Sequence, residues 1–401
     1  MKITIRTLIL SLLFLAFAWI NDFSVSSVYA ADRESFSGEP VCLPGIYAIQ
    51  QDDCLAMGPS EVLTELDQKG IPVPFQPLPV YTLDSSYSVA PVPYISVGEN
   101  SFPLYASLED AIGKNPTRYL EAGFKFLGMY QRVDRDEGIF YQLTNGLWVD
   151  AGEANTSCCI YSGRSQGLMF YQNPVNSFGW ILDQTEIKKT PSYSSENTGK
   201  ILYRENVVQI YDVVEADGVK WYMIGPNEWV ERRRIRQFVI NTTPPEGVDN
   251  NRWIDVNLYE QTLGIYEDGK LVFAALIASG MEPFFTKPGL FQIYEKLETT
   301  TMMGAFEADR SDFYYLEDVP YTLYYDEARA LHGAYWRTYY GFPQSHGCVN
   351  LAISDARIVY EWAQVGDWVY VHDPSGETPT DPDFYGDRKS TRLNSSHVSQ
   401  S

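Results

Sequence analysis

Basic residues are scarce in this chain: 30 Lys and Arg stand against 52 Asp and Glu, a formal charge of −22. Phosphate backbones are held by clustered Lys and Arg, so the balance argues against nucleic acid as a partner. It suits an exported protein kept soluble by its surface charge. Long apolar runs are missing as well. The run from Leu8 to Ile20 spans thirteen residues, short of the about 20 that cross a bilayer. It follows Lys2 and Arg6 and precedes Val28-Tyr29-Ala30, the pattern of a secretory signal peptide over residues 1–30. An uncleaved anchor is the alternative. The mature chain is expected to carry no transmembrane span and to work outside the cytoplasm.

Cysteine is also sparse: Cys42, Cys54, Cys158, Cys159 and Cys348. Export permits disulfides, and a Cys42–Cys54 bridge would close a short N-terminal loop. Cys158 and Cys159 are adjacent, and a bond between neighbours is strained, so their state stays open. An odd count leaves at least one thiol free or intermolecular. Cys348 stands alone in its half of the chain and is the natural candidate.

What is present is mostly strand-like. After an N-terminal extension (31–84), "YQRVDRDEGIFYQLTNGLWVD" (130–150) is echoed by "YDVVEADGVKWYMIGPNEWVE" (211–231). Each echo has an acidic-Gly turn, an aromatic strand and a closing Trp-Val, as short antiparallel barrels do. Further strands fit at Tyr94–Tyr105 and Ile201–Val208. The pattern resembles bacterial SH3-like wall modules, placed at 85–160 and 195–240 with 161–194 as connecting segment. "NTTPPEGVDN" (241–250) reads as a linker.

Beyond the linker the chain is nearly all strand, with a hairpin turn at Asp268-Gly269. One helix is expected in "SDARIVYEWAQVG", capped by Ser354 and Gly366, with Ala356, Val359, Tyr360 and Ala363 on one face. The strand "DWVYVH" closes a mainly β unit at 251–373. Residues 374–401 are expected to be a disordered tail, of which 388–401, with His397, read as non-native.

"QSHGCVN" (344–350) puts a histidine two residues ahead of the lone cysteine. A thiol titrates near 8.5, so an imidazole that takes its proton both makes the nucleophile and supplies the later acid. His332 and His346 qualify by type, and the pairing predicts a thiol pKa below the ordinary value. His346 would lie on the same side of an extended segment as Cys348. Gly347 lets the backbone approach a carbonyl, and the Gly347 and Cys348 amides are candidate oxyanion donors. Zinc bound by His332, His346, Cys348 and His372 is the competing reading. Their spacing matches no common zinc pattern, and His346 would crowd Cys348. His372 reads as a strand-end residue.

"LHGAYWRTYYGFPQSHGCVNL" (331–351) resembles the active-site signature of the L,D-transpeptidases, the YkuD-type catalytic domain. A histidine is followed after a gap by Ser-His-Gly-Cys, a hydrophobic residue and Asn. Similarity extends to Thr286, Pro288 and Gly289 upstream and Val371-His372 downstream. The resemblance implies a mainly β fold, the SH3-like pair followed by a YkuD-type β-sandwich with few helices. It implies Cys348 as nucleophile and His332 as base and acid, its imidazole oriented by a backbone carbonyl. His346 would support them, with Gly347 at the oxyanion and Ser345, Asn350, Gly333 and Tyr324 at the binding surface. No metal or cofactor is implied. The implied activity is cross-linking of peptidoglycan stem peptides, a donor tetrapeptide and an acceptor amine, in the cell wall or periplasm, with carbapenems as inhibitors. An L,D-carboxypeptidase and a non-catalytic wall-binding protein are the alternatives. Arg337, Thr338 and Tyr339 depart from the family pattern, which bears on substrate choice rather than on the nucleophile.

Overall fold

The computed structural model describes residues 63, 66–72, 76–163 and 165–385. The expected signal peptide, Cys42, Cys54, His397 and the 388–401 stretch lie outside the described residues. The chain divides into units 1–68 and 69–401, and the second carries everything that follows. Among the described residues no helix is long and apolar enough to cross a membrane.

Two sheets face each other across the largest core. The first has seven strands in the order Val80–Tyr81, Leu168–Phe170, Lys270–Leu276, Thr262–Glu267, Arg252–Asn257, Trp368–His372 and Gly289–Gln292. The second runs Val349–Leu351, Arg329–Gly333, Tyr314–Asp326, Phe124–Arg135, Val89–Ser96 and Ser157–Ser162. Glu295–Gly304 pairs along Tyr314–Asp326. Ile254, Val256, Ile265 and Phe273 of one sheet meet Leu323, Leu331, Val349 and Leu351 of the other, with Ala356 and Val359 of the helix Ile353–Trp362 beside them. The fold is mainly β with few helices.

The continuous apolar stretch 271–278 follows from burial on both faces. Phe273 and Ala275 enter the core between the sheets. Leu271, Ala274 and Leu276 turn the other way and pack with Phe178, Trp180 and Phe238. Gly264 must be glycine here, since a Cβ would come within 2.5 Å of the Phe238 ring. The Asp268-Gly269 turn has φ of 48° and 73°, the two positive angles a tight hairpin needs.

Both sequence echoes are three-stranded antiparallel meanders: 124–135, 138–143 and 148–150, then 212–216, 219–225 and 228–231. Their internal pairing matches. Tyr141 faces Val149 as Tyr222 faces Val230, and Trp148 and Trp229 are both buried. The sheets stay open, however, and the SH3-like pair is not found as closed barrels among the described residues. The first meander cannot close because its long strand continues into the second sheet, where Phe124–Phe126 pairs in parallel with Tyr314–Leu316. The supposed connecting segment 161–194 is likewise built in, since Leu168 and Met169 pair with Ala274 and Phe273.

Smaller corrections share one cause, tertiary pairing. The expected strands 94–105 and 201–208 are each broken, into 89–96 with 102–104 and 197–202 with 207–210. The stretch from Gly289 switches sheets after Gln292. The helix is capped by Ala352 and Ala363, not Ser354 and Gly366. Ser354 lies buried in the first turn. Residues 374–385, expected in a disordered tail, include a 3-10 turn at Pro382–Phe384 and a buried Tyr385 stacked under Arg329 at 5.3 Å.

Arg252 tests where polar contacts matter. It bonds Asp367 at 3.0 Å and the Trp362 carbonyl at 3.0 Å, and the Asp367 carboxylate is almost fully buried. Arg252→Ala removes the cation paired with that carboxylate, leaving it only the Gln364 amide and Asn250 Nδ2 as donors, and should lower unfolding free energy in urea by about 3 kcal/mol. Lys189→Ala, which breaks an exposed pair with Glu196, should cost less than about 1 kcal/mol. Equal effects would contradict this ranking.

Candidate active site

The strand Val349–Leu351 runs parallel to Arg329–Gly333, with His332 opposite Asn350 and Gly333 opposite Leu351. Partners in register share a face, and Cys348, two residues before Asn350, turns to that same face. His332, Cys348, Asn350, Ser345 and His346 all line one cavity of about 340 Å³. The signature residues are thus brought together by one strand pairing.

His332 is buried, and its Nδ1 lies 3.2 Å from the Gly333 carbonyl oxygen. A carbonyl only accepts, so Nδ1 carries the proton and Nε2 is left as an acceptor. Burial pushes the pKa down to about 4, which keeps the ring neutral at ordinary pH. Gly333 therefore acts through its carbonyl, and it does not line the cavity.

Cys348 is the free thiol among the described residues, Cys158 being paired with Cys159. Its Sγ donates to the Ala328 carbonyl at 3.7 Å and is partly open to the cavity. Burial pushes the thiol pKa up, and the Ala330 amide and Arg329 guanidinium offset this only in part. The expected depression is therefore corrected. A thiolate and an imidazolium would both be charges in a desolvated pocket, and the neutral pair avoids that cost. Both groups are therefore uncharged at neutral pH.

The loop holding the thiol is tied down by a strap, residues 278–286. Ala278 and Asn350 exchange both backbone hydrogen bonds at 2.9 and 3.0 Å. The Ser345 amide donates to the Ser279 carbonyl at 2.9 Å, and Met281 donates to the Ser345 carbonyl at 3.0 Å. Thr286 Oγ1 donates to the Gly347 carbonyl at 3.0 Å and accepts from the Gly280 amide at 2.8 Å. Ser345 Oγ donates to the Cys348 carbonyl at 2.5 Å. It also accepts from the Gly347 amide at 3.2 Å, which occupies that candidate oxyanion donor. Gly347 has φ of +115°, where an L side chain would be strained.

His346 is a wall residue. Its ring lies 4.9 Å from Phe306 and 4.8 Å from Phe284. Burial lowers its pKa, and Asp312 opposes that. Asn350 is buried and lines the cavity, and its Oδ1, closed to solvent, has no hydrogen-bond partner. Tyr324 does not reach the cavity. It is buried, stacked on Tyr294 at 6.2 Å, while Tyr314 lines the wall. His372 sits on the other sheet, bonded to Asp255 at 3.0 Å, so the four-ligand zinc grouping is not assembled. Trp336, Arg329, Phe384 and Tyr385 also line the cavity. Trp336 stands inside the signature, but no sequence signal marks the two tail aromatics.

Residues 251–371 match the family model described as the L,D-transpeptidase catalytic domain, YkuD. Among solved structures the chain is similar to an L,D-transpeptidase from Stackebrandtia nassauensis, at 31% identity and a TM-score of 0.25. The match covers 32% of this chain and 58% of that one. It is similar to the catalytic domain of an E. faecium L,D-transpeptidase at 27% identity and TM-score 0.28, covering 31% of this chain and 100% of that one. The same E. faecium domain acylated by ertapenem matches at 28% identity and TM-score 0.27, over 30% of this chain and 96% of that one. No curated protein matches.

The raised thiol gives a pH test. Alkylation of Cys348 by iodoacetamide in the native chain should be slow at pH 7 and still rising above about 8.5, the ordinary thiol value. A rate already at its plateau near pH 6 would reveal a thiolate and contradict the neutral pair.

Proposed function

We propose that this chain, whose residues 251–371 are an L,D-transpeptidase catalytic domain, is an extracytoplasmic enzyme that cross-links peptidoglycan stem peptides through a Cys348 thioester. The observation that carries the reading is the pairing of the His332 and Asn350 strands, which turns a base and a thiol into one cavity. Nε2 of His332 takes the thiol proton as sulfur attacks the carbonyl between the diamino acid and the terminal D-alanine of a donor tetrapeptide. The C–N bond breaks, the imidazolium protonates the departing D-alanine amine, and a thioester remains. The side-chain amine of a second stem attacks that thioester, and the thiol returns with its proton. The Cys348 amide is the oxyanion donor in this scheme, because Gly347 is engaged by Ser345. His346, between its aromatic neighbours, shapes the entrance. Carbapenems would acylate the same sulfur. The N-terminal β units hold or orient the enzyme on the wall.

The test uses the full chain, because strands from outside 251–373 complete both sheets. Incubated with a disaccharide-tetrapeptide, it should release D-alanine and form a cross-linked dimer detected by mass spectrometry. Cys348→Ala should abolish turnover, and His332→Ala should slow it by about 10²–10⁴-fold, the usual weight of acid–base catalysis. Release of D-alanine with tripeptide alone would make the enzyme a carboxypeptidase. Activity that survives Cys348→Ala, or that a chelator removes, would overturn the cysteine mechanism.

A further inference from the structure

A second cavity, of about 600 Å³, shares Trp336 and Arg337 with the first. Its walls include Phe126 from the first meander's long strand, Gln166 and Arg204 from the region between the meanders, and 334–340 with Ala352 and Ile353 from within residues 251–371. Three of its side chains carry a buried polar atom without a hydrogen-bond partner: Gln166 Oε1, Arg204 Nη2 and Arg337 Nε. Such an atom costs about 1–3 kcal/mol if left unpaired, and three in one cavity point to a ligand.

The same side chains are otherwise anchored. Arg204 Nη1 donates to the Leu182 carbonyl at 3.0 Å, and its guanidinium lies 4.1 Å over the Tyr339 ring. Arg337 Nη1 donates to Gln344 Oε1 at 2.9 Å. Gln166 is 7% exposed, and its backbone accepts from Trp180 Nε1 at 2.8 Å. Each guanidinium is thus held in place with an N–H to spare. Glu205 also lines the cavity, 3.7 Å from Arg204 Nε, so two guanidiniums face one carboxylate.

We propose that this cavity binds the C-terminal carboxylate of a peptide. The carboxylate takes the spare N–H groups of Arg204 and Arg337, and the amide N–H of the same terminal residue goes to Gln166 Oε1. Phe126, Trp336 and Tyr339 cover its side chain. A phosphate fits less well, because it has no N–H for the Gln166 oxygen. The identity of the peptide as the acceptor stem, approaching the thioester past Trp336, rests on the function proposed above. The preference for a carboxylate does not.

The experiment uses the full chain carrying Cys348→Ala, which removes turnover. Calorimetric titration with N-acetyl-lysyl-alanine as free acid and as C-terminal amide should show the acid binding about 10-fold tighter, the effect of one charge-assisted hydrogen bond. In Arg204→Gln the preference should fall below about 2-fold, while Arg204→Lys, which keeps the charge, should retain part of it. Equal binding of acid and amide, or a preference untouched by Arg204→Gln, would overturn the proposal. If Arg204→Gln fails to fold, the acid–amide comparison in the Cys348→Ala parent decides alone. An acid preference alongside absent cross-linking by the Cys348 chain would keep this site and sink the peptidoglycan reading. Cross-linking without acid preference would do the reverse.

Discussion

The Thr286 hydroxyl holds the 344–350 loop in shape. It accepts from the Gly280 amide and donates to the Gly347 carbonyl, so the strap and the loop carrying Cys348 share one buried oxygen. Gln261 fixes the other end of the strap through Ser279, accepting from its amide at 2.9 Å and donating to its hydroxyl at 2.6 Å. Between these points the backbone of 278–281 binds Gln344, Ser345 and Asn350. A glycine at 280 is required by the same closeness, since a Cβ there would sit 2.0 Å from the Phe284 carbonyl oxygen. The cavity wall follows from this arrangement, because Phe284 and Phe285 line it from the strap's turn.

Electrostatics inside the cavity favour uncharged partners. A His332 held near pKa 4 and a thiol pushed above its ordinary value are poorly suited to a resting ion pair. In the proposed reaction they suit proton transfer in step with attack, where charge develops only as the Cys348 amide and the anchored loop can meet it. The Gly333 carbonyl sets the tautomer, which is the part of the apparatus that decides whether Nε2 can accept at all.

The N-terminal β units are structural partners of the two-sheet sandwich rather than separable spacers. Phe178, Trp180 and Phe238 cover one face of its first sheet, and Phe124–Phe126 extends the second. That packing builds the second cavity, whose Gln166 and Arg204 come from outside the catalytic domain while Arg337 comes from within it.

Much of the lining of the candidate site was legible in the chain itself. Ser345-His346-Gly347-Cys348 and His332 form a composite pattern that a strand pairing gathers into one cavity, and the Asp268-Gly269 hairpin and the apolar alternation were local signals. The repeated meanders were legible as strands and turns, because period-two patterning and turn residues act locally. Their closure was not, since a strand edge is satisfied by whichever partner lies nearest, here Tyr314–Leu316. The sign of the Cys348 shift, the loss of Tyr324 from the cavity and the recruitment of Phe384 and Tyr385 were decided by burial and long-range contact. Residue types alone set which groups can titrate, donate or attack. The dielectric around them, and which donors are already spent, as the Gly347 amide is on Ser345, exist only once distant segments have packed.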